Sequence, residues 1–219
     1  GITFSKEEFE QLQTDILKGN FEAAKAKILA KNSVSASAII DNWAADIQKL
    51  ANNLDKRIDF FSDIAEEIQI SKKLASMLNI ELAHLYRNSV DHGIESIEER
   101  KKLNKFESGM IRIEIKQMSE QLNIVIEDDG KGLNEAKIKE KALANINLDQ
   151  AQVQEMISTN KCWRILFLPG FSTAENVTSL SGRGVGMDAV YTAIQELNGV
   201  INMESIENEG ITTKITIPI

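Results

Sequence analysis

A chain of 219 residues, 42% of them hydrophobic and 12 of them glycine, can bury a substantial core as one large domain or as a domain with an appendage. Its net charge of −8 excludes a broad surface for polyanions, so nucleic acid is not an expected partner. No apolar run approaches the roughly 20 residues that span a bilayer, and the single Cys162 rules out an internal disulfide and fits a reducing, cytoplasmic setting. Gly1-Ile-Thr-Phe-Ser is not a signal peptide, and Gly1 in place of Met is expected of a processed chain or a fragment.

The first third reads as helix. Ser5-Lys-Glu-Glu8 is a capping-box pattern, and Phe9, Leu12, Ile16 and Leu17 follow at helical spacing up to Gly19-Asn20. A second helix is predicted over residues 21–29 and a third over 36–54, with Ile39, Ile40, Trp43, Ile47 and Leu50 on its apolar side. These helices are either a small bundle packed on itself or a dimerisation or docking element. From Arg57 the pattern changes: Ile58, Phe60, Ile64, Ile68 and Ile70 read as a strand and a short connection leading to a helix over 71–90. That helix carries Leu74, Met77, Leu78, Leu82 and Leu85 on one side, and its last turns place His84, Asn88 and Asp91 along one face. Such a stripe is either a solvated helix side or the wall of a ligand site that ends at Gly93.

Two alternating strands follow, 110–118 with Ile111, Ile113 and Ile115 on one face and 121–127 with Leu122, Ile124 and Ile126, turned at Ser119-Glu120. The second runs into Asp128-Asp129-Gly130-Lys131-Gly132. An acid followed by spaced glycines at a strand end can hydrogen-bond a ligand amino group, with the backbone close by. It can equally be a turn; as a calcium loop it lacks the later oxygen ligands at alternate positions. Helices are predicted over 135–144 and 148–157. After Ile165-Leu-Phe167-Leu-Pro169-Gly170-Phe171 and a long loop comes the run Ser181-Gly182-Arg183-Gly184-Val185-Gly186-Met187-Asp188. This run passes into a helix with Val190, Ile194 and Leu197, ending at Asn198-Gly199. A glycine run feeding a helix N-terminus offers backbone N–H groups and a positive dipole end to phosphate, although many such runs are only turns. It has neither the setting of a dinucleotide fingerprint nor the ending of a P-loop. Strands over 200–206 and 211–217, turned at Glu207-Asn-Glu-Gly210, close the chain. Intermixed elements with adjacent hairpins predict an α+β layer, helices on one face of a largely antiparallel sheet.

Four ordered motifs together resemble one family, the GHKL ATPase superfamily, and within it the chemotaxis histidine kinases of the CheA type. His84-Leu-Tyr-Arg-Asn88-Ser-Val-Asp91-His92-Gly93-Ile-Glu95 is similar to its N box and Asp128-Asp-Gly130-Lys-Gly132-Leu to its first glycine box. Phe167-Leu-Pro-Gly-Phe171-Ser-Thr is similar to its F box, and Ser181 to Asp188 to its second glycine box. The resemblance covers roughly residues 45–219. It implies the Bergerat ATP-binding fold, a two-layer α/β sandwich with a mostly antiparallel mixed sheet, preceded by an N-terminal helical segment over 1–44.

The resemblance also implies roles. ATP and Mg²⁺ are the expected cofactors. Asn88 matches the Mg²⁺ ligand and Asp128 the carboxylate that accepts the adenine N6 amino group, with Gly130 and with Gly132 allowing close approach. Gly182, Gly184 and Gly186 match the phosphate cradle, together with Ser181, Arg183, Val185 and Met187. Phe171, Ser172 and Thr173 belong to the nucleotide site, and Asp91, His92 and Lys141 match positions lining its phosphate side. His84 sits at the position of a general base or γ-phosphate contact, and His84, Arg87 and Asn88 are the expected catalytic group; His84 and His92 can alternatively be structural. The chain departs from the family in four respects, the first being that its N-terminal helices do not match the family's long two-helix dimerisation hairpin. Its two histidines both fall in the N box, so no substrate histidine is present; it ends at Ile219, where the receptor-coupling domain would begin; and Ile146 stands in place of a glycine.

The expected function is therefore ATP-dependent phosphorylation of a histidine on a separate phosphotransfer domain or chain, feeding a response regulator in the cytoplasm, with a homodimer through the N-terminal helices as a further expectation. The alternatives are an ATP-binding regulatory module without kinase activity and a protein-serine kinase of the same superfamily.

Overall fold

The structure, a computed structural model, describes residues 3–64, 68–171 and 186–219. Helix α1 (Lys6–Leu17) starts at the expected capping box: Ser5 Oγ accepts the Glu8 N–H, and the Glu8 carboxylate accepts the Ser5 N–H at 2.7 Å. Helix α2 (Phe21–Lys31) folds back on it, tied by Lys27–Asp15 at 2.7 Å and Lys31–Glu8 at 2.9 Å. Leu12 is buried between them, but Phe9, Ile16, Leu17 and Phe21 stay exposed, Leu17 at 87%. The pair forms a hairpin rather than a complete bundle core.

Strand β1 (Ser33–Ser35) leads into α3 (Ala36–Asn53), whose N-terminus is capped by Ser35. The predicted stripe of α3 is inward: Ile39, Ile40, Trp43 and Ile47 are all buried. This helix runs through residues 44 and 45, so the strip of core it supplies comes from both sides of that expected boundary. Strand β2 (Ile58–Ile64) follows, and β3 (Gln69–Ser71) pairs antiparallel with β1. Helix α4 (Lys72–Asn88) is capped by Ser71, whose Oγ accepts the Leu74 N–H at 3.2 Å. A π-helical turn (Ser89–Gly93) and the short α5 (Ile97–Lys102) come next.

The hairpin of β4 (Gly109–Met118) and β5 (Gln121–Asp128) turns at Ser119-Glu120 as predicted, with Ser119 in the left-handed region at φ 56°. Helices α6 (Glu135–Ala144) and α7 (Gln150–Ser158) are followed by a 3₁₀ turn (Cys162–Phe167). Helix α7 begins two residues later than predicted because Asp149 is its N-cap, accepting from the Ala151 and Gln152 N–H groups. Helix α8 (Met187–Glu196) and strands β6 (Val200–Ile206) and β7 (Gly210–Pro218) complete the chain.

The main sheet has the order β2-β4-β5-β7-β6, antiparallel throughout except for the parallel pair β2–β4. That pair is joined by the crossover through α4, so a single β-α-β unit sits at the edge of an otherwise antiparallel sheet. Alternation puts Ile111, Ile113, Ile115, Leu122, Ile124, Ile126, Ile215 and Ile217 on one side, packed with the apolar faces of α3, α4 and α8. The other side carries charges such as Arg112, Glu114, Lys116 and Lys214. The result is the expected two-layer α+β arrangement. A second apolar cluster (Ile138, Ala142, Leu148, Val153, Met156, Cys162, Ile165 and Leu168) joins α6, α7 and the 3₁₀ turn.

Candidate functional site

The site grows from the C-terminal end of α4. Leu74, Leu78, Leu82 and Leu85 bury one side of this helix, which leaves His84 half-buried and Arg87 and Asn88 exposed at its end. Asn88 Nδ2 donates to Met187 Sδ at 2.9 Å, which seats the end of α4 against the start of α8 and leaves the amide oxygen as the other polar atom of the side chain. Beyond Asn88 the winding widens. The Ile94 N–H donates to the Ser89 carbonyl at 2.7 Å, five residues back, so Asp91 and His92 ride on a π turn. The common α-helical face therefore extends from His84 to Asn88, and Asp91 lies on the wider turn beyond it; both Asp91 and His92 are exposed.

Under this turn ends β5. Asp128, its last residue, is only 4% exposed. Ser89 Oγ donates to Asp128 Oδ2 at 2.6 Å and the Gly130 N–H to Oδ1 at 3.0 Å. Burial pushes the Asp128 carboxyl above its ordinary value, the Ser89 and Gly130 hydrogen bonds pull it back, and the neighbouring Asp129 charge adds to the rise. Gly93 faces the carboxylate; a Cβ built there would stand 3.5 Å from both oxygens. Ser89 has a local signature. It continues the buried stripe Leu78, Leu82, Leu85 at helical spacing, and a polar residue on a buried stripe needs a partner.

The glycines after Asp128 make room for the chain itself. A Cβ at Gly130 would collide with the Gly93 carbonyl, and one at Gly132, held at φ 66°, with the Ile206 carbonyl. The space beside Gly132 is thus filled by backbone of this chain. Behind the loop lies a buried charge cluster. Arg100, 1% exposed, donates to Glu95 Oε2 at 2.8 Å, to Asp129 Oδ2 at 2.6 Å and to the Phe106 carbonyl at 2.6 Å. Lys105 donates to Glu95 Oε1 at 2.7 Å and to the Asp129 and Gly130 carbonyls, both at 2.8 Å. The other oxygen of Asp129 accepts the Met110 N–H at 2.7 Å. Nothing local announces this cluster, because Arg100 and Asp129 are far apart in the chain.

Gly186 is the N-cap of α8, and a Cβ there would come within 2.7 Å of Asp188 Oδ1, so an acidic side chain folds back over that helix start. Lys141 lies in the last turn of α6, and Phe171 packs on the second apolar cluster. Ile146, in place of a family glycine, is 93% exposed. Ser172, Thr173, Ser181, Gly182, Arg183, Gly184 and Val185 lie outside the described residues.

Residues 77–219 match the family described as histidine kinase-, DNA gyrase B- and HSP90-like ATPase, and the chain belongs to this family. Among curated proteins it is similar to the sensor histidine kinase CheAY of Helicobacter pylori, 40% identical over 181 residues that cover 83% of this chain and 22% of that protein. It is likewise similar to the chemotaxis protein CheA of Bacillus subtilis, 34% identical over 192 residues covering 88% of this chain and 28% of the relative. The chain thus spans about a quarter of the length of these relatives. Among solved structures, the catalytic domain of histidine kinase ThkA superposes with a TM-score of 0.52 at 18% identity, covering 85% of this chain and 93% of that one. The mycobacterial sensor histidine kinase MprB gives 0.53 at 14% identity, covering 85% and 95%. At these identities the structural likeness concerns the fold. Among the described residues, no helix is long and apolar enough to cross a membrane.

Proposed function

We propose that this chain is the ATP-binding catalytic module of a CheA-like histidine kinase, passing the ATP γ-phosphoryl group to a histidine on a separate phosphotransfer domain or chain that supplies a response regulator. The observation that carries the reading is Asp128, a carboxylate sunk at the end of a strand in a chain of this ATPase family and held by Ser89 and Gly130. A buried carboxylate gains most from a partner that donates hydrogen bonds, and the adenine N6 amino group is such a donor.

In this reading Asn88 would hold Mg²⁺ through its amide oxygen, since its amide nitrogen is already committed to Met187. Bound there, Mg²⁺ would supply charge neutralisation for the nucleotide phosphates. Among the described residues no group of three or more His, Cys, Asp or Glu could form a protein cage for a metal. One amide ligand with phosphates and water for the rest is the arrangement that suits Mg²⁺. In this reading Gly182, Gly184 and Gly186, with Ser181, Arg183, Val185 and Met187, belong to the phosphate cradle, and Phe171, Ser172 and Thr173 to the nucleotide site. His84, Arg87, Asp91, His92 and Lys141 line the phosphate side. During transfer the bond from the γ-phosphorus to the bridging oxygen breaks and its electrons leave with ADP, while a lone pair of the acceptor imidazole forms the P–N bond. Protein catalysis of this step is mainly positioning and charge compensation, with His84 as hydrogen-bond or proton partner.

The N-terminal segment serves as a docking or dimerisation element, supported by the exposed Phe9, Leu17, Phe21 and Leu29 on the α1–α2 hairpin. The division into 1–44 and 45–219 describes this sharing of labour, with α3 contributing core to the ATP module. The test is transfer from labelled ATP to a separate histidine-phosphotransfer domain. Acid-labile label should appear on that domain, slowly in the absence of tethering, and Asn88→Ala should abolish it. Label on serine, or on nothing while ATP still binds, would defeat the kinase reading.

A further inference from the structure

The π turn between Asn88 and Ile94 departs from the regular ladder of helical hydrogen bonds, and most of its carbonyls find partners outside that ladder. That of Ser89 accepts from the Ile94 N–H, and that of Gly93 from the Lys131 N–H at 3.0 Å. The carbonyls of Val90 and Asp91 accept from one ammonium: Lys56 Nζ donates to them at 2.7 Å and 2.9 Å. Lys56 itself is held in place. The chain leaves α3 through Asp55 in the left-handed region at φ 52°, and the Lys56 N–H returns to the Ala51 carbonyl at 3.0 Å.

We infer that Lys56 is a positioning residue for the nucleotide site, a strap that fixes the π turn and through it two of the groups that face the Asp128 carboxylate. Those groups are Ser89, whose hydroxyl donates to Asp128 at 2.6 Å, and Gly93, which backs directly onto it. Val90, whose carbonyl takes the shorter of the two bonds, is fully buried between them. A cation is the suitable group here, because carbonyls at a helix C-terminal end carry partial negative charge and one ammonium can serve two of them. Burial pulls the Lys56 ammonium below its ordinary value; Asp91, Glu99 and Glu95 oppose that pull and Lys131 reinforces it. A half-buried lysine kept at such a cost fits a fixed place in the structure.

The inference rests on the reading of Asp128 as the adenine acceptor, and its test separates the two. ATP and GTP affinities of the whole chain are measured by calorimetry for wild type, Asp128→Asn, Lys56→Met and Lys56→Arg, with the unfolding temperature recorded for each. Lys56→Met keeps the aliphatic stem and loses the donors. It should shrink the ATP-over-GTP preference by about threefold or more, the loss of roughly one ordinary hydrogen bond in the placement of the acid. Lys56→Arg, whose fork of donors can also reach two carbonyls, should restore the preference to near wild type. A merely structural lysine would lower the unfolding temperature and leave the preference unchanged. If Lys56→Met keeps the wild-type preference where Asp128→Asn loses it, the strap is overturned; if Asp128→Asn also keeps it, the site reading falls and the strap with it. Should Lys56→Met fail to fold, Lys56→Gln, with a donor for one carbonyl, is expected to give an intermediate preference, and a wild-type value there overturns the inference.

Discussion

Asp128 gives up nearly all its water where β5 ends, and it receives two donors, Ser89 and Gly130, in exchange. Burial still outweighs the hydrogen bonds and raises the folded-state value above 3.8. The folded chain therefore binds this proton more tightly than the unfolded chain does. The Asp128 contribution to stability is fully present below pH 3.8 and is lost as pH rises through the higher folded value. Asp128→Asn cannot titrate, so its stability relative to wild type should rise with pH across that window, measured by urea unfolding at several pH values. A constant difference would mean that the carboxylate is solvated in the folded chain. At this scale the sequence was partly legible: Asp128 stood out as an acid before spaced glycines, and Ser89 could be found as the polar member of a buried stripe. The partner of each could not, because the two residues lie on different elements.

Among the elements, the connection from α5 to β4 is organised by charges rather than by apolar contacts. Arg100 is buried against Glu95 and Asp129, and Lys105 shares Glu95 while holding two carbonyls of the loop after β5. Removing one member of a buried pair leaves the other uncompensated, at a cost of about 3–5 kcal/mol. Arg100→Met should lose stability on that scale in urea unfolding. The double variant Arg100→Met with Asp129→Asn should recover part of it, since Asp129 loses its cation with Arg100 whereas Glu95 keeps Lys105. A double variant as unstable as the sum of the single ones would remove the coupling. The helices other than α5, and the β4–β5 hairpin, were legible, since capping boxes, N-cap serines and two- or three-residue periodicities act over a few neighbours; α5, with its Ser96–Glu99 capping box, was missed. The widening at Ser89 was not, because a π turn is stabilised by what it meets, here Lys56 and Asp128, rather than by its own residue pattern.

For the whole molecule, the decisive packing is that of α3 on α4 and the sheet. Trp43 is buried against the Tyr86 ring, with centroids 6.0 Å apart, and its Nε1 donates to Asn79 Oδ1 at 2.9 Å. Helices α1 and α2 contribute little to this core, whereas α3 places Ile39, Ile40, Trp43 and Ile47 within it. A chain starting at Ser33 should therefore fold and bind ATP with wild-type affinity, whereas one starting at residue 45 should be unfolded or molten. Circular dichroism and calorimetry on both truncations check this. A folded, ATP-binding chain from residue 45 would show that the first half of α3 is dispensable.

What the amino-acid sequence determined by itself was local or periodic: the helices other than α5, the two hairpins, the inward stripe of α3 and α4, and four motifs in an order that marks one ATPase family. Each of these depends on residues within a turn or two of one another, or on direct similarity of residue strings. The tertiary structure alone decided which distant segments meet. It paired Ser33–Ser35 with Gln69–Ser71, laid β2 parallel to β4, brought Arg100 to Asp129 and sent Lys56 to the carbonyls of Val90 and Asp91. Contacts of this kind form only when long loops close, and the free energy that closes them is collective burial of the core. No short stretch of sequence carries that information.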